Sequence, residues 1–260
     1  MAAIDDPPTV DSEPVPLGRR LVAEATGTGL LVTVVVGSGI QAQTLSGEVG
    51  TQLLENALAT AGGLFALILI FGPVSGAHFN PVVSLADWWV GRRRGTGLSI
   101  RELGLYVAAQ IGGGILGTVL ANAVFAEDLV SWSTTERSSG HLWLSEVLAT
   151  AGLLLLIFAL VRSQRTSTVA AAVGAYIGAA YWFTSSTSFA NPAVTIARAF
   201  TDTFAGIEPA SVAAFVLFQL VGLVVGLAAV LYFYPDSSRV AGEVVVPRQR
   251  SLPTRLVRRR

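Results

Sequence analysis

Neither cysteine nor lysine occurs in the 260 residues of this chain. The absence of cysteine removes disulfides, thiolate metal sites and cysteine nucleophiles from consideration. Charge of either sign is also scarce, because Asp, Glu and Arg together make up 13% of the residues, roughly half the share of an ordinary soluble domain. The two histidines, His78 and His141, stand alone. With no triad, metal cluster or phosphate-binding loop, enzymatic chemistry is not expected, and neither is a cofactor or a nucleic-acid partner. The segment before Gly18 is acidic and proline-rich. It lacks the basic start and apolar core of a secretory signal peptide.

Apolar residues are what the chain has instead, at 52% of the total. They cluster near Leu21–Ile40, Gly63–Phe71 (extended by Ala57–Gly62), Leu105–Phe125, Leu142–Val161, Thr168–Phe183 and Val212–Tyr234. Most of these runs approach the roughly 20 residues needed to cross a bilayer, so six spans are expected. The organisation that follows is a disordered tail over 1–17, a membrane domain over 18–235 and a basic tail over 236–260. Every arginine except Arg137 and Arg198 falls in the flanks and the two turns that six spans place on one side. The positive-inside rule then puts both termini in the cytoplasm, in a multi-pass protein of the cell membrane.

The chain also repeats itself. Glu24 and Glu146 each sit early in an apolar helix, followed by small residues. "GAHFNPVVSLA" (Gly76–Ala86) matches "TSFANPAVTIA" (Thr187–Ala197), and Tyr106, Gln110 and Gly113 are echoed by Phe215, Gln219 and Gly222. Landmarks recurring in one order indicate a duplication, with copies at about 18–125 and 141–235. Each copy carries three spans, so the second lies inverted in the membrane, an arrangement known among transport proteins.

The boxes Asn80-Pro81-Val82 and Asn191-Pro192-Ala193 read as helix starts, since asparagine caps well and proline suits the first helical position. The segments after them are about ten residues, or about 15 Å of helix, half a hydrocarbon core. Two such half-helices entering from opposite faces meet tip to tip near the midplane. Their positive dipole ends disfavour cations, and the asparagine amides can donate to a passing oxygen.

These features, with the lead-in Gly76-x-His78-x-Asn80, resemble the major intrinsic protein family, the aquaporins and aquaglyceroporins. The resemblance runs from about Gly18 to Tyr234. It implies an all-α membrane fold of six transmembrane helices and two re-entrant half-helices, assembled as a homotetramer with a pore in each subunit. It also implies that Glu24 and Glu146 brace the re-entrant loops, a reading favoured over a proton relay because no further acids or histidines align with them. His78 resembles the family's loop histidine near the cytoplasmic entrance; satisfaction by backbone carbonyls is an alternative compatible with that place.

In most relatives arginine directly follows the second box, and here that position is Val194. Transfer by spacing gives a selectivity filter of Thr60, Ala179, Ser188 and Val194, which is wide and without an aromatic ring or arginine. Water, polyols and other small neutral hydroxylated solutes are the expected cargo. The string "NPAVTIARAFTDTFAGI" is similar to a bacterial branch linked with arsenic resistance, which adds arsenite and antimonite as candidates. Arg198, one turn beyond Val194, either pairs with Asp202 or Glu208, the favoured alternative, or places positive charge in the extracellular vestibule. Asp87 is its counterpart in the first copy, where an ion pair with one of Arg92–Arg94 is expected. Gly112–Gly114, Gly222 and Gly226 suit close helix packing. A strict water channel, a coupled secondary transporter and a closed structural membrane protein are the competing functions.

Overall fold

The structure is a computed structural model that describes residues 15–92, 95–163 and 165–235. The 236–260 tail and nearly all of the 1–17 tail lie outside the described residues. Among the described residues the regular structure is helical, with α1 (Leu17–Leu45), α2 (Val49–Ser75), α3 (Pro81–Gly91) and α4 (Ile100–Val124) in the first copy. The second copy holds α5 (Gly140–Arg162), α6 (Val169–Phe183), α7 (Pro192–Ala197) and α8 (Pro209–Phe233). Five of these helices, α1, α2, α4, α5 and α8, are long and apolar enough to cross a membrane. The sixth crossing, α6, has 15 residues and is preceded by a 3-10 turn, Thr166–Thr168.

Helix α2 begins well before the apolar run that signals it. Its first turns carry Gln52 and Asn56, both buried against α1. Asn56 Nδ2 donates to the Val35 carbonyl and to Ser38 Oγ, each at 2.8 Å. Paired in this way, the amide is buried without an unsatisfied donor.

Small residues set the closest helix crossings. A Cβ on Gly113 would lie 2.1 Å from the Ala25 carbonyl oxygen, and one on Gly117 would lie 2.1 Å from that of Gly29. Helices α1 and α4 therefore touch backbone to backbone, and Thr33 Oγ1 donates across the contact to the Gly117 carbonyl at 3.0 Å. The second copy repeats the device. Gly222 closes on Val147 and Thr150, and Gly226 on Ala151, so α8 lies against α5 as α4 lies against α1. Gly112 has open space around it and takes no part.

The half-helices have the expected starts. Asn80 caps α3 and Asn191 caps α7, each followed by proline at the first helical position. Helix α3 has 11 residues; α7 has six and continues as a 3-10 turn, Arg198–Phe200.

Candidate pore

The loops leading into the half-helices hold non-glycine residues in the left-handed region. Ala77 and Phe79 have φ of 48° and 49°, and Ser188 and Ala190 have φ of 52° and 47°. Left-handed conformations outside glycine cost about 1–3 kcal/mol each, so the surroundings must hold them.

One buried carboxylate per copy does so. Glu24 Oε1 accepts from Ser75 Oγ at 2.6 Å and from the His78 backbone N–H at 3.0 Å. Its Oε2 accepts from the Phe79 N–H and from Gln110 Nε2, both at 2.8 Å. Glu146 repeats the pattern with Ser186 Oγ at 2.6 Å, the Phe189 N–H at 3.0 Å, the Ala190 N–H at 2.8 Å and Gln219 Nε2 at 2.6 Å. Each glutamine reaches on to a half-helix hydroxyl, Gln110 to Ser84 Oγ at 3.0 Å and Gln219 to Thr195 Oγ1 at 2.9 Å. A carboxylate has about four lone-pair sites, and here all are filled.

The asparagines link the two copies. Asn80 Oδ1 accepts from the Val82 N–H at 3.0 Å, and Asn191 Oδ1 accepts from the N–H groups of Ala193 and Val194 at 3.0 and 3.3 Å. With the oxygens committed to capping, the amide nitrogens turn to the other copy. Asn80 Nδ2 donates to the Ala190 carbonyl and Asn191 Nδ2 to the Phe79 carbonyl, both at 2.8 Å. An amide nitrogen carries two N–H donors, so each asparagine keeps one without a partner among the described residues.

Both asparagines border a cavity of about 70 Å³. Its lining divides chemically. Apart from Thr60 and Tyr181, the spanning helices α1, α2, α5 and α6 contribute aliphatic side chains such as Leu31, Leu64, Ile157 and Ile177, whereas the re-entrant loops contribute the polar His78, Asn80, Ser188 and Asn191 beside Phe79 and Phe189. Neither α4 nor α8 contributes to the wall. The His78 ring bonds Ser84 Oγ through Nδ1 at 3.0 Å, rather than a backbone carbonyl, and lies 5.6 Å from the Tyr106 ring.

Of the filter positions chosen by spacing, Thr60, Ser188 and Val194 border the cavity. Ala179 does not. It is exposed on the outer face of α6, and the residues of that helix that reach the cavity include Ile177 and Tyr181. The correction is two residues along the helix. Tyr181, whose hydroxyl lies 3.1 Å from Thr60 Oγ1, supplies an aromatic ring where the spacing gave a methyl group. Phe189 borders the cavity as well, so this end is not free of aromatics. Pro81, Val82, Pro192 and Ala193 are buried behind the asparagines and form no part of the wall.

Arg198 requires a second correction. It pairs with neither Asp202 nor Glu208; its Nε donates to the Ala205 carbonyl, and its guanidinium lies 3.5 Å from the Phe189 ring centroid. Asp202 accepts instead from Thr134, and Arg198 borders the cavity. Asp87 accepts from the Leu98 N–H at 2.8 Å; of the arginines expected to pair with it, Arg93 and Arg94 lie outside the described residues. The ion pair found among the described residues joins Arg20 to Glu102.

Besides Tyr181 and Phe189, sequence reasoning missed Ser75 and Ser186, which bond the buried glutamates. Each stands five positions before its asparagine, an offset that the comparison of the two boxes, begun one residue later, passed over.

Residues 12–186 match the family described as major intrinsic protein. The chain is 49% identical over 212 residues to the aquaglyceroporin AqpS of Rhizobium meliloti, covering 82% of this chain and 88% of that protein. It is 29% identical over 209 residues to aquaporin NIP2-2 of Zea mays, covering 75% and 65%. Among solved structures, the aquaglyceroporin from Plasmodium falciparum superposes with a TM-score of 0.61 at 20% identity, covering 85% of this chain and 96% of that one.

Proposed function

This chain belongs to the major intrinsic protein family, a family of channels rather than enzymes, and on that premise we propose that it is a passive pore for water and for glycerol-sized neutral polyols. The observation that carries the reading is the pair of asparagine amides. Each has one donor fixed on the opposite copy and one left over, beside a cavity walled largely by aliphatic side chains. Such a lining suits a molecule with hydroxyl groups on one side and carbon on the other. A hydroxyl can exchange a water hydrogen bond for an asparagine N–H, while a bare cation finds no comparable ligand. Uncharged metalloid hydroxides such as arsenite and antimonite share the size and polarity of the polyols, and the reading includes them.

Coupled transport is disfavoured, since Glu24 and Glu146 have no free acceptor for an ion or a proton. The reading extends to a homotetramer in the cell membrane with both termini cytoplasmic. The tetramer rests on the family resemblance and the orientation on the arginine bias. In these terms Val194, Ser188, Thr60 and Tyr181 form the filter at the Arg198 end, and Glu24, Glu146 and His78 hold the re-entrant loops.

Osmotic shrinkage of proteoliposomes in water, glycerol and arsenite gradients tests the proposal. The native protein is expected to pass all three solutes. Val194→Arg is expected to cut glycerol flux about tenfold, the effect of misfitting a small solute by ~1.4 kcal/mol, with water flux reduced less. Passage of water alone, unchanged by Val194→Arg, would identify a strict water channel instead.

A further inference from the structure

The Arg198 end of the pore carries a feature that passage of neutral solutes leaves unused. Two consecutive carbonyls of the returning loop hold two guanidinium groups: Ala205 accepts from Arg198 Nε, and Gly206 accepts from Arg137 Nε at 3.0 Å. Both groups approach one ring, with their guanidinium carbons 3.5 and 5.0 Å from the Phe189 centroid. Neither makes an ion pair within the described residues. Arg198 is only 3% exposed, and its remaining N–H groups make no hydrogen bond there. Ser188, which precedes Phe189, is 4% exposed, and its Oγ has no partner. Ser188, Phe189 and Arg198 all border the cavity.

Nothing in the fold demands this arrangement. In the first copy the equivalents of Ser188, Phe189 and Arg198 are Ala77, His78 and Asp87. Asp87 also fastens its returning loop, through Leu98, yet it does not border the cavity. A carboxylate serves to fasten the loop in the first copy, so fastening does not require a cation, and a cation facing the pore is an addition.

Glu146 acts on both guanidinium groups through space only, its oxygens being taken up by the loop, and a buried guanidinium that makes no ion pair is stabilised by a ligand that completes it. The planar fork of Arg198 matches a carboxylate, and charge-assisted bonds of that kind are the strong ones. We propose that Arg198 and Ser188, in the field of Arg137, form a binding site for a small monocarboxylate at this mouth. The site admits an anion of glycerol-like size, such as lactate, and a bound anion obstructs the pore. The proposal rests on the channel reading for its flux readout only.

The test measures glycerol flux through proteoliposomes of the full chain with sodium lactate at constant ionic strength set by sodium chloride. Lactamide, the neutral molecule of the same shape, serves as control. Lactate is expected to inhibit saturably and lactamide is not. Arg198→Met should raise the half-inhibitory concentration about tenfold or more, as loss of a buried charge partner does. Ser188→Ala and Arg137→Met should each raise it about threefold, in line with single, partly screened contributions. Independently, lactate should raise the thermal midpoint of the native protein in detergent and not that of Arg198→Met. Equal effects of lactate and lactamide, or inhibition unchanged in Arg198→Met, would overturn the site. Absence of glycerol flux would instead count against the channel reading, and the thermal shift would still decide the site.

Discussion

At the scale of single residues, the buried glutamates carry more than any other side chain outside the pore wall. Replacing Glu146 with alanine strips the acceptor from a hydroxyl, an amide and two backbone N–H groups beside the left-handed residues Ser188 and Ala190. Each unsatisfied buried donor costs about 1–3 kcal/mol, so the expected outcome is a loss of several kcal/mol. It should appear in gel filtration as failure to yield a monodisperse species. Glu146→Gln keeps one acceptor oxygen and should retain part of the yield. The glutamates, glutamines and asparagines were legible in the sequence because a saturated carboxylate needs the same partners at the same offsets in both copies. The α6 contribution was not. Counting back from Asn191 crosses the irregular segment between Phe183 and Pro192, where helical periodicity does not carry over, and the count lands on the outward-facing Ala179 instead of Tyr181. The two positions should separate by experiment. Ala179→Leu should leave glycerol flux within about twofold, as exposed substitutions do. Tyr181→Ala, which removes the Thr60 contact and the ring, should change it by about fivefold or more.

At the scale of elements, glycine decides how near the helices come, and a single methylene is enough to separate them. A side chain on Gly117 would meet the Gly29 carbonyl oxygen at 2.1 Å, a backbone atom that cannot rotate away. Gly117→Leu is therefore expected to prevent the α1–α4 contact and to cost about 3 kcal/mol or more, the upper range for overpacking. Gly112→Ala, with open space around it, should be neutral. Comparing the thermal midpoints of the two variants in detergent checks the contrast, because both change glycine in the same helix. Element boundaries were less legible than element identities. The polar residues Gln52 and Asn56 hid the first turns of α2 from hydropathy, since their amides are buried by pairing and not by being apolar.

At the scale of the whole molecule, three spanning helices per copy force the inversion, and the Asn–carbonyl exchange between copies closes it: Asn80 reaches Ala190 and Asn191 reaches Phe79. Inversion has a consequence for accessibility. The segment between α4 and α5 and the turn between α5 and α6 must lie on opposite sides of the membrane, because α5 separates them. The absence of cysteine makes this directly measurable. Ser138 and Ser167 are both exposed, the first in the α4–α5 segment and the second in the turn before α6. Each can be replaced by the sole cysteine of the chain and treated in intact cells with a membrane-impermeant maleimide. With both termini cytoplasmic, Ser138→Cys should label from outside and Ser167→Cys only after permeabilisation. The reversed pattern would invert the molecule and place the Arg198 mouth in the cytoplasm. That outcome would leave the fold and the inverted repeat intact and would show that the arginine bias misassigned the sides. Labelling of both residues from one side would be more damaging, since no continuous α5 crossing could produce it.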